Sequence, residues 1–239
     1  MTKNLLPFMF SLIMLPCHSM EELFMATPPI RSEEVVPLYD GRTCGWLTVI
    51  SGPMFSGKTA ELIRRINLAR MMWRVIDVFK PRTDTRFVDA VVSRNGCKIS
   101  GAYSVNSNTP QDIIEILARI EPKCVFIDEV QFFNGEIIGV VEDLLNTGVN
   151  VVAAGLDRDF KREPFGDSMP QLLSRADECV KLKAVCSSCR RYNATFTQRL
   201  INGSPAKRSS PLVVVDDLHS RVADISYEPR CRACHELPE

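Results

Sequence analysis

The sequence predicts an α/β protein: a parallel sheet with helices on both faces, followed by a small C-terminal zinc-binding domain. Three observations predict it. From residue 45 onward, short apolar β-prone runs alternate with segments of helical periodicity, which is the pattern of a sheet buried on both sides. A glycine-rich loop joins the first such strand to the first such helix. Two C-x-x-C pairs lie near the end of the chain. Domain boundaries are expected at 1–44 for an N-terminal extension, 45–185 for a nucleotide-binding domain and 186–239 for the zinc domain.

The extension opens with Lys3 and an apolar stretch, residues 5–15 (LLPFMFSLIML). This resembles the apolar segment of a signal peptide but is too short to span a bilayer as a helix. The following Pro16-Cys17-His18-Ser19 is a poor cleavage site. A start at Met20 or Met25, a disordered or targeting extension, and export all remain open. Residues 21–40, with Thr27-Pro28-Pro29 and a Ser/Glu run, read as a flexible lead-in.

The first strand is expected over residues 46–50 (WLTVI). It runs into Gly52, Pro53, Met54, Phe55, Ser56, Gly57, Lys58 and Thr59, which fit the phosphate-binding pattern G-x-x-x-x-G-K-[ST] at every fixed position. Backbone N–H groups of such a loop curve around a polyphosphate, and the following helix directs its positive end at the same anion. Lys58 is expected to reach the β- and γ-phosphates of ATP and the Thr59 hydroxyl to ligate Mg²⁺. A helix over residues 60–70 follows, with Leu62, Ile63, Ile66 and Ala69 on one face. The fold class is therefore the P-loop, RecA-like arrangement.

Residues 74–80 (RVIDVFK) are the second strand, followed by a polar loop. A helix over 111–120 carries a start signal: Thr109 as N-cap, Pro110 at the first helical position and Asp112 three residues after the cap. Residues 123–127 (KCVFI) form the next strand, 136–145 a helix, and 149–154 (VNVVAA) a further buried strand. In parallel sheets ligands sit beyond the carboxyl ends of strands. The loops after Ile50, Lys80, Ile127 and Ala154 should therefore converge on one site.

The third of these strands ends in two adjacent carboxylates, Asp128 and Glu129, the Walker B arrangement that complements a phosphate loop. Asp128 is expected to hold Mg²⁺, directly or through water. Glu129 is expected to align and deprotonate the attacking nucleophile.

Nine cysteines are present. Cys17, Cys44, Cys97, Cys124 and Cys179 are scattered singly. Cys186, Cys189, Cys231 and Cys234 form the two C-x-x-C pairs, the usual makings of a tetrahedral structural Zn²⁺ site. The metal would clip the ends of a long loop, residues 190–230. His235 is a further donor that could replace or support a cysteine, or a surface group; His18 and His219 are given no role. An odd number of cysteines without a disulfide framework suits a reducing compartment, hence a cytoplasmic protein.

Lysine plus arginine equals aspartate plus glutamate at 29 each, so the formal net charge is zero. That argues against a broad electrostatic footprint for nucleic acid or an anionic membrane, though not against a local basic patch.

Six ordered segments resemble one family, the thymidine kinases of the cytosolic, zinc-lasso type. They are GPMFSGKT at 52–59, KPRTDTRF at 80–87, IDEVQFF at 127–133, GLDRDFKREPFG at 155–166, KLKAVCSSC at 181–189 and SYEPRCRACHE at 226–236. The resemblance runs from about residue 45 to 236. It implies transfer of the γ-phosphoryl group of ATP to the 5′-hydroxyl of thymidine, giving dTMP for deoxynucleoside salvage. Glu129 matches the family's catalytic base. Asp128 and Gln131 match neighbouring nucleotide-site positions, and Asp84, Thr85 and Arg86 match a segment near the phosphates. Phe160 matches an aromatic at the base pocket, and Tyr227 a tyrosine that meets the deoxynucleoside. Leu212, Val213, Val214, Val215 and Asp216 match the lasso strand whose main chain pairs with the thymine edge. The resemblance also implies a homotetramer and dTTP as a feedback inhibitor in the acceptor site.

Two departures stand out. The lasso of the family carries glycines after its apolar strand, whereas residues 213–225 here are longer and glycine-free, which removes close backbone turns. Arg94 stands where many relatives have histidine. Two other functions compete: a P-loop ATPase acting on nucleic acid, since Asp128-Glu129-x-Gln131 has a superficial likeness to helicase motifs, and a kinase of another deoxynucleoside. A non-enzymatic zinc module would leave the phosphate loop unexplained.

Overall fold

The computed structural model describes residues 44–72, 75–84, 90–93, 96–213 and 224–237. The N-terminal extension expected over residues 1–44 lies outside them apart from Cys44.

The strands and helices of the sheet follow in chain order. Strand β1 (Leu47–Ser51) leads through the phosphate loop to helix α1 (Lys58–Met72). Then come β2 (Ile76–Pro81), a hairpin of β3 (Ala90–Val92) and β4 (Lys98–Ser100), and β5 (Tyr103–Val105). Helix α2 (Asp112–Leu117), β6 (Cys124–Ile127), α3 (Ile137–Asn146), β7 (Asn150–Gly155), α4 (Ser168–Arg175) and β8 (Glu178–Lys181) complete the series. Six strands pair in the order β5-β2-β6-β7-β1-β8, all in parallel.

The two-residue side-chain period of a strand divides the core in two. Leu47, Val49, Val125, Ile127, Val151 and Ala153 point to one face, where Ile113 and Leu117 of α2, Ile137, Val141 and Leu144 of α3, and Met169 and Leu172 of α4 cover them. Ile50, Val78, Cys124, Phe126, Val152 and Ala154 point to the other, under Leu62, Ile63, Ile66 and Ala69 of α1 and Val91 and Ile99 of the hairpin. Both faces are covered, as the near-continuous apolar strands predict.

Helix α2 is shorter than expected. The Thr109 hydroxyl donates to the Asp112 carboxylate (2.9 Å), and Gln111, which occupies the N-cap, makes no side-chain capping bond. Residues 109–112 form a turn closed by Asp112 N–H to the Thr109 carbonyl (3.1 Å). The hydroxyl is thereby drawn away from the backbone N–H groups that a cap would bond.

Helix α1 is fastened to the edge strand β8 by a buried cation. Arg65 donates to Glu61 (2.8 Å) and to both oxygens of Glu178 (2.9 and 3.1 Å), and Thr48 also donates to Glu178 (2.9 Å). Burial pushes the Glu61 and Glu178 carboxyls up, but the hydrogen bonds from arginine outweigh it and both lie below the ordinary glutamate range. A depressed carboxylate stabilises the fold above its unfolded pKa of about 4.3 and loses that contribution as pH falls through the folded value. Melting temperature is expected to drop on acidification below about pH 4.3, and Glu178→Gln to lower it at neutral pH while flattening the acid branch. Thermal melts across this range check both; an unchanged acid branch in the variant would dissociate Glu178 from acid lability.

Beyond the sheet lie three smaller pieces. A two-stranded ribbon pairs β9 (Ala184–Val185) with β10 (Tyr192–Ala194). A three-stranded antiparallel sheet has β11 (Phe196–Ile201) between β12 (Ser204–Pro205) and β13 (Ile225–Arg230). Residues 231–237 follow and carry the last cysteine pair. Among the described residues no helix is long and apolar enough to cross a membrane.

Candidate active site

The carboxyl ends of β1, β2, β6 and β7 face a cavity of about 650 Å³. Each of the four loops expected to meet there supplies wall residues: Lys58 after β1, Asp84 after β2, Glu129 after β6 and Phe160 after β7. Parallel strands bring this about because their carboxyl ends lie on one edge of the sheet.

The phosphate loop has the shape its pattern predicts. Gly52 adopts φ +150°, and a Cβ there would meet the Leu182 carbonyl at 2.7 Å and Ser56 Oγ at 2.8 Å, so only glycine fits. Phe55 (φ 65°) and Gly57 (φ 86°) are left-handed, the kind of backbone conformation from which anion nests are built. Helix α1 starts at Lys58, with Glu61 N–H already bonded to the Gly57 carbonyl (2.9 Å). The Ser56 hydroxyl is buried with no hydrogen-bond partner among the described residues. Lys58 arches over the loop and donates to the Pro53 carbonyl (2.9 Å). Met54, Phe55, Gly57, Lys58 and Thr59 line the cavity. Gly52 and Pro53 are buried and do not line it. This donor set fits a polyphosphate, and the Thr59 hydroxyl and the Asp128 carboxylate are hard oxygen ligands of the kind Mg²⁺ takes.

Glu129 sits at φ 50°, ψ 39°, a left-handed conformation that costs a non-glycine residue about 1–3 kcal/mol. The bend starts a single 3-10 turn, Val130–Phe132, directly at the end of β6. Asp128, behind it, is buried, and its Oδ1 accepts the Glu129 N–H (3.0 Å). Gln131 is also buried, donates to Glu129 Oε2 (2.6 Å) and accepts from Leu156 N–H (3.0 Å). Neither Asp128 nor Gln131 lines the cavity.

Further cavity wall comes from the loop after β7, from the C-terminal sheet and from the chain between β12 and β13. Phe160, Leu212, Val213 and Tyr227 line it. The guanidinium of Arg199 lies 4.1 Å from the Phe160 ring centre and 5.3 Å from that of Tyr227, and donates to the carbonyls of Pro211 and Leu212 (both 2.5 Å). Arg199 is only 3% exposed and its Nε has no hydrogen-bond partner among the described residues. Thr197, on the same strand, lines the cavity and accepts the Met54 N–H (3.0 Å), tying the phosphate loop to β11. Thr197 and Arg199 were not expected from the sequence. All four residues of Phe196-Thr197-Gln198-Arg199 are buried, three polar side chains among them. Thr85, Arg86, Val214, Val215 and Asp216 lie outside the described residues, as do Arg94 and most of the glycine-free stretch.

The four cysteines expected to bind zinc come together, with Sγ atoms all within 4.8 Å of one another. Cys189 and Cys231 Sγ are 3.8 Å apart, and a tetrahedral site with Zn–S bonds of about 2.3 Å has S···S edges of about 3.8 Å. Burial pushes the Cys186 thiol up, but backbone N–H groups of Cys189, Cys231 and Ser188 outweigh it and bring it down to about 6, close to a ready thiolate. The set fits Zn²⁺. His235 is neither a member of the cluster nor on the surface. It is buried, its Nδ1 accepts from Arg162 Nε (3.1 Å), and its Nε2 therefore donates to the Thr197 carbonyl (3.3 Å). Burial first, and Arg162 second, hold the ring below the ordinary histidine pKa.

A family model described as thymidine kinase matches residues 45–235. The chain belongs to the thymidine kinase family. Membership implies phosphorylation of thymidine by ATP, the work of an ATP-dependent phosphotransferase, and the use of ATP with Mg²⁺. The family match spans the phosphate loop, the paired carboxylates and all four clustered cysteines. Among solved structures, the crystal structure of Pif1 helicase from Candida albicans is similar over 59% of this chain and 36% of that one, with 15% identity and a TM-score of 0.36. A likeness at that level carries no argument about fold or function.

Proposed function

We propose that this member of the thymidine kinase family transfers the γ-phosphoryl group of ATP to the 5′-hydroxyl of thymidine, with Glu129 as the base. The observation that carries this is the shared cavity, which Lys58, Thr59, Glu129, Phe160 and Tyr227 all line. The loop and Lys58 would hold the triphosphate, and the Thr59 hydroxyl and Asp128 carboxylate, directly or through water, would hold Mg²⁺, which supplies charge neutralisation at the phosphate oxygens when bound. Glu129 takes the hydroxyl proton and aligns the oxygen with the γ-phosphorus. Phe160 and Tyr227 flank the base, and the aromatic walls with the segment around Leu212 and Val213 exclude water from the reaction.

Residues 186–239 act in this reading as a lasso domain tethered by zinc, separate from the nucleotide-binding domain of residues 45–185. The resemblance also supports a homotetramer and dTTP as an end-product inhibitor in the acceptor pocket. Four thiols that must stay reduced to hold zinc support a cytoplasmic setting.

The test is product analysis with ATP, Mg²⁺ and each natural deoxynucleoside in turn. Thymidine is expected to yield dTMP at the highest kcat/KM. ATP consumption that needs added DNA and ignores thymidine would point instead to a nucleic-acid ATPase. Lys58→Ala is expected to weaken ATP binding and slow turnover together by about 10²-fold or more, since it removes a cation from both the bound and the transition state. Steady-state kinetics with direct nucleotide titration checks this; unchanged ATP affinity would place Lys58 outside the phosphate site.

A further inference from the structure

We propose that Gln131 is a positioning residue for the Glu129 carboxylate, and that position 155 is glycine to admit it; this rests on Glu129 being the base. Residues two apart seldom meet through their side chains, but the left-handed Glu129 and the 3-10 turn that follows fold Gln131 back onto it. The amide orientation is dictated by its partners. A backbone N–H can only donate, so the side-chain oxygen faces Leu156 (3.0 Å) and the NH₂ group must face Glu129 Oε2 (2.6 Å). One amide thus couples the base at the end of β6 to the backbone just beyond β7. Gln131 is 4% exposed and does not line the cavity, so both its polar ends are directed into the protein.

Gly155 ends β7 beneath this amide. A Cβ there would lie 2.6 Å from Gln131 Oε1, 3.0 Å from Met169 Sδ and 3.0 Å from Val130 Cγ1. The 2.6 Å approach to the amide oxygen is the closest of the three and too short to exist, so the amide is the group that would have to shift. Any side chain at 155 therefore displaces Gln131 and, through it, the carboxylate. A displacement near 1 Å in a reacting group can cost about 10²-fold in rate.

The experiment compares Gln131→Met, Gln131→Glu, Gly155→Ala and the Gln131→Met/Gly155→Ala pair with Glu129→Gln, measuring kcat, both KM values, ATP affinity by titration and melting temperature. Gln131→Met and Gly155→Ala are each expected to lower kcat by about 10–100-fold with ATP affinity within about two-fold of wild type. The pair is expected to lose little more than either alone, because both changes act on one amide. Gln131→Glu keeps the acceptor for Leu156 and the side-chain length but sets a carboxylate against Glu129, and is expected to lose kcat while remaining folded; it decides the matter if Gln131→Met does not fold. Full kcat in a folded Gln131→Glu, or a weakening of ATP binding with kcat retained, would overturn the proposal, the second outcome marking Gln131 as a nucleotide contact. Additive losses in the pair would overturn the role of Gly155. Wild-type turnover in Glu129→Gln would instead remove the base assignment itself, whereas an inactive Glu129→Gln beside an active Gln131→Met refutes only the positioning role.

Discussion

Glu129→Gln is expected to lower kcat by about 10²–10⁴-fold and to leave ATP affinity unchanged. The amide keeps nearly the shape of the carboxylate but cannot take a proton from an alcohol. The backbone of residue 129 is left-handed, held by the bond from its N–H to Asp128 Oδ1 (3.0 Å) and by the 3-10 turn, so the isosteric change leaves the bend in place. The phosphate loop stands on β1, two strands away from β6 in the sheet, and is anchored separately through Met54 to Thr197 (3.0 Å). Binding and chemistry should therefore separate cleanly: titration of ATP against the variant should match wild type while single-turnover phosphorylation of thymidine collapses. Wild-type-like turnover would remove Glu129 from the mechanism.

Loss of zinc is expected to damage both the fold and the two substrate sites. Cys186→Ser, or chelation, breaks a cluster that joins Cys186 and Cys189 to Cys231 and Cys234 across the chain segment 190–230. In small finger domains structural zinc contributes roughly 10–16 kcal/mol. Losing even about 3 kcal/mol would lower Tm by about 6–12 °C in a protein of this size. The effect should reach the cavity through β11. Thr197 accepts the His235 ring donor at its carbonyl and the Met54 N–H at its hydroxyl, so one residue touches both the cysteine-bearing tail and the phosphate loop. Arg199, two residues along, holds Pro211 and Leu212 at the acceptor wall. KM should rise for thymidine and for ATP, with a fall in Tm that added Zn²⁺ reverses in the chelated protein. Metal analysis of the purified protein finding no zinc, with an unaltered melt for Cys186→Ser, would contradict this.

The parts that were legible in the sequence are those written in local pattern. The apolar strands, their order along the chain and the glycine positions of the phosphate loop each depend on neighbours within a few residues. The convergence of four loops follows from parallel pairing alone. The hairpin β3/β4 and the short strand β5 were not foreseen, because three-residue strands carry too little alternation to separate from loop. Thr109 was expected to cap α2, but its hydroxyl had a nearer partner in Asp112, a competition between side chains that residue types alone do not resolve. His235 was left open as ligand or surface group; it became neither because Arg162, far away in the chain, reaches it (3.1 Å).

The amino-acid sequence by itself determined the fold class, the phosphate loop, the paired acids at the end of β6 and the two cysteine pairs, since spacing along the chain is all those features require. Only the tertiary structure decided that Thr197 and Arg199 face the cavity, that Gln131 grips Glu129, and that residue 155 has no room for a Cβ. The reason is physical: which atoms compete for a given donor, acceptor or volume is settled by segments that meet across the sheet, and a linear pattern holds no record of those distances.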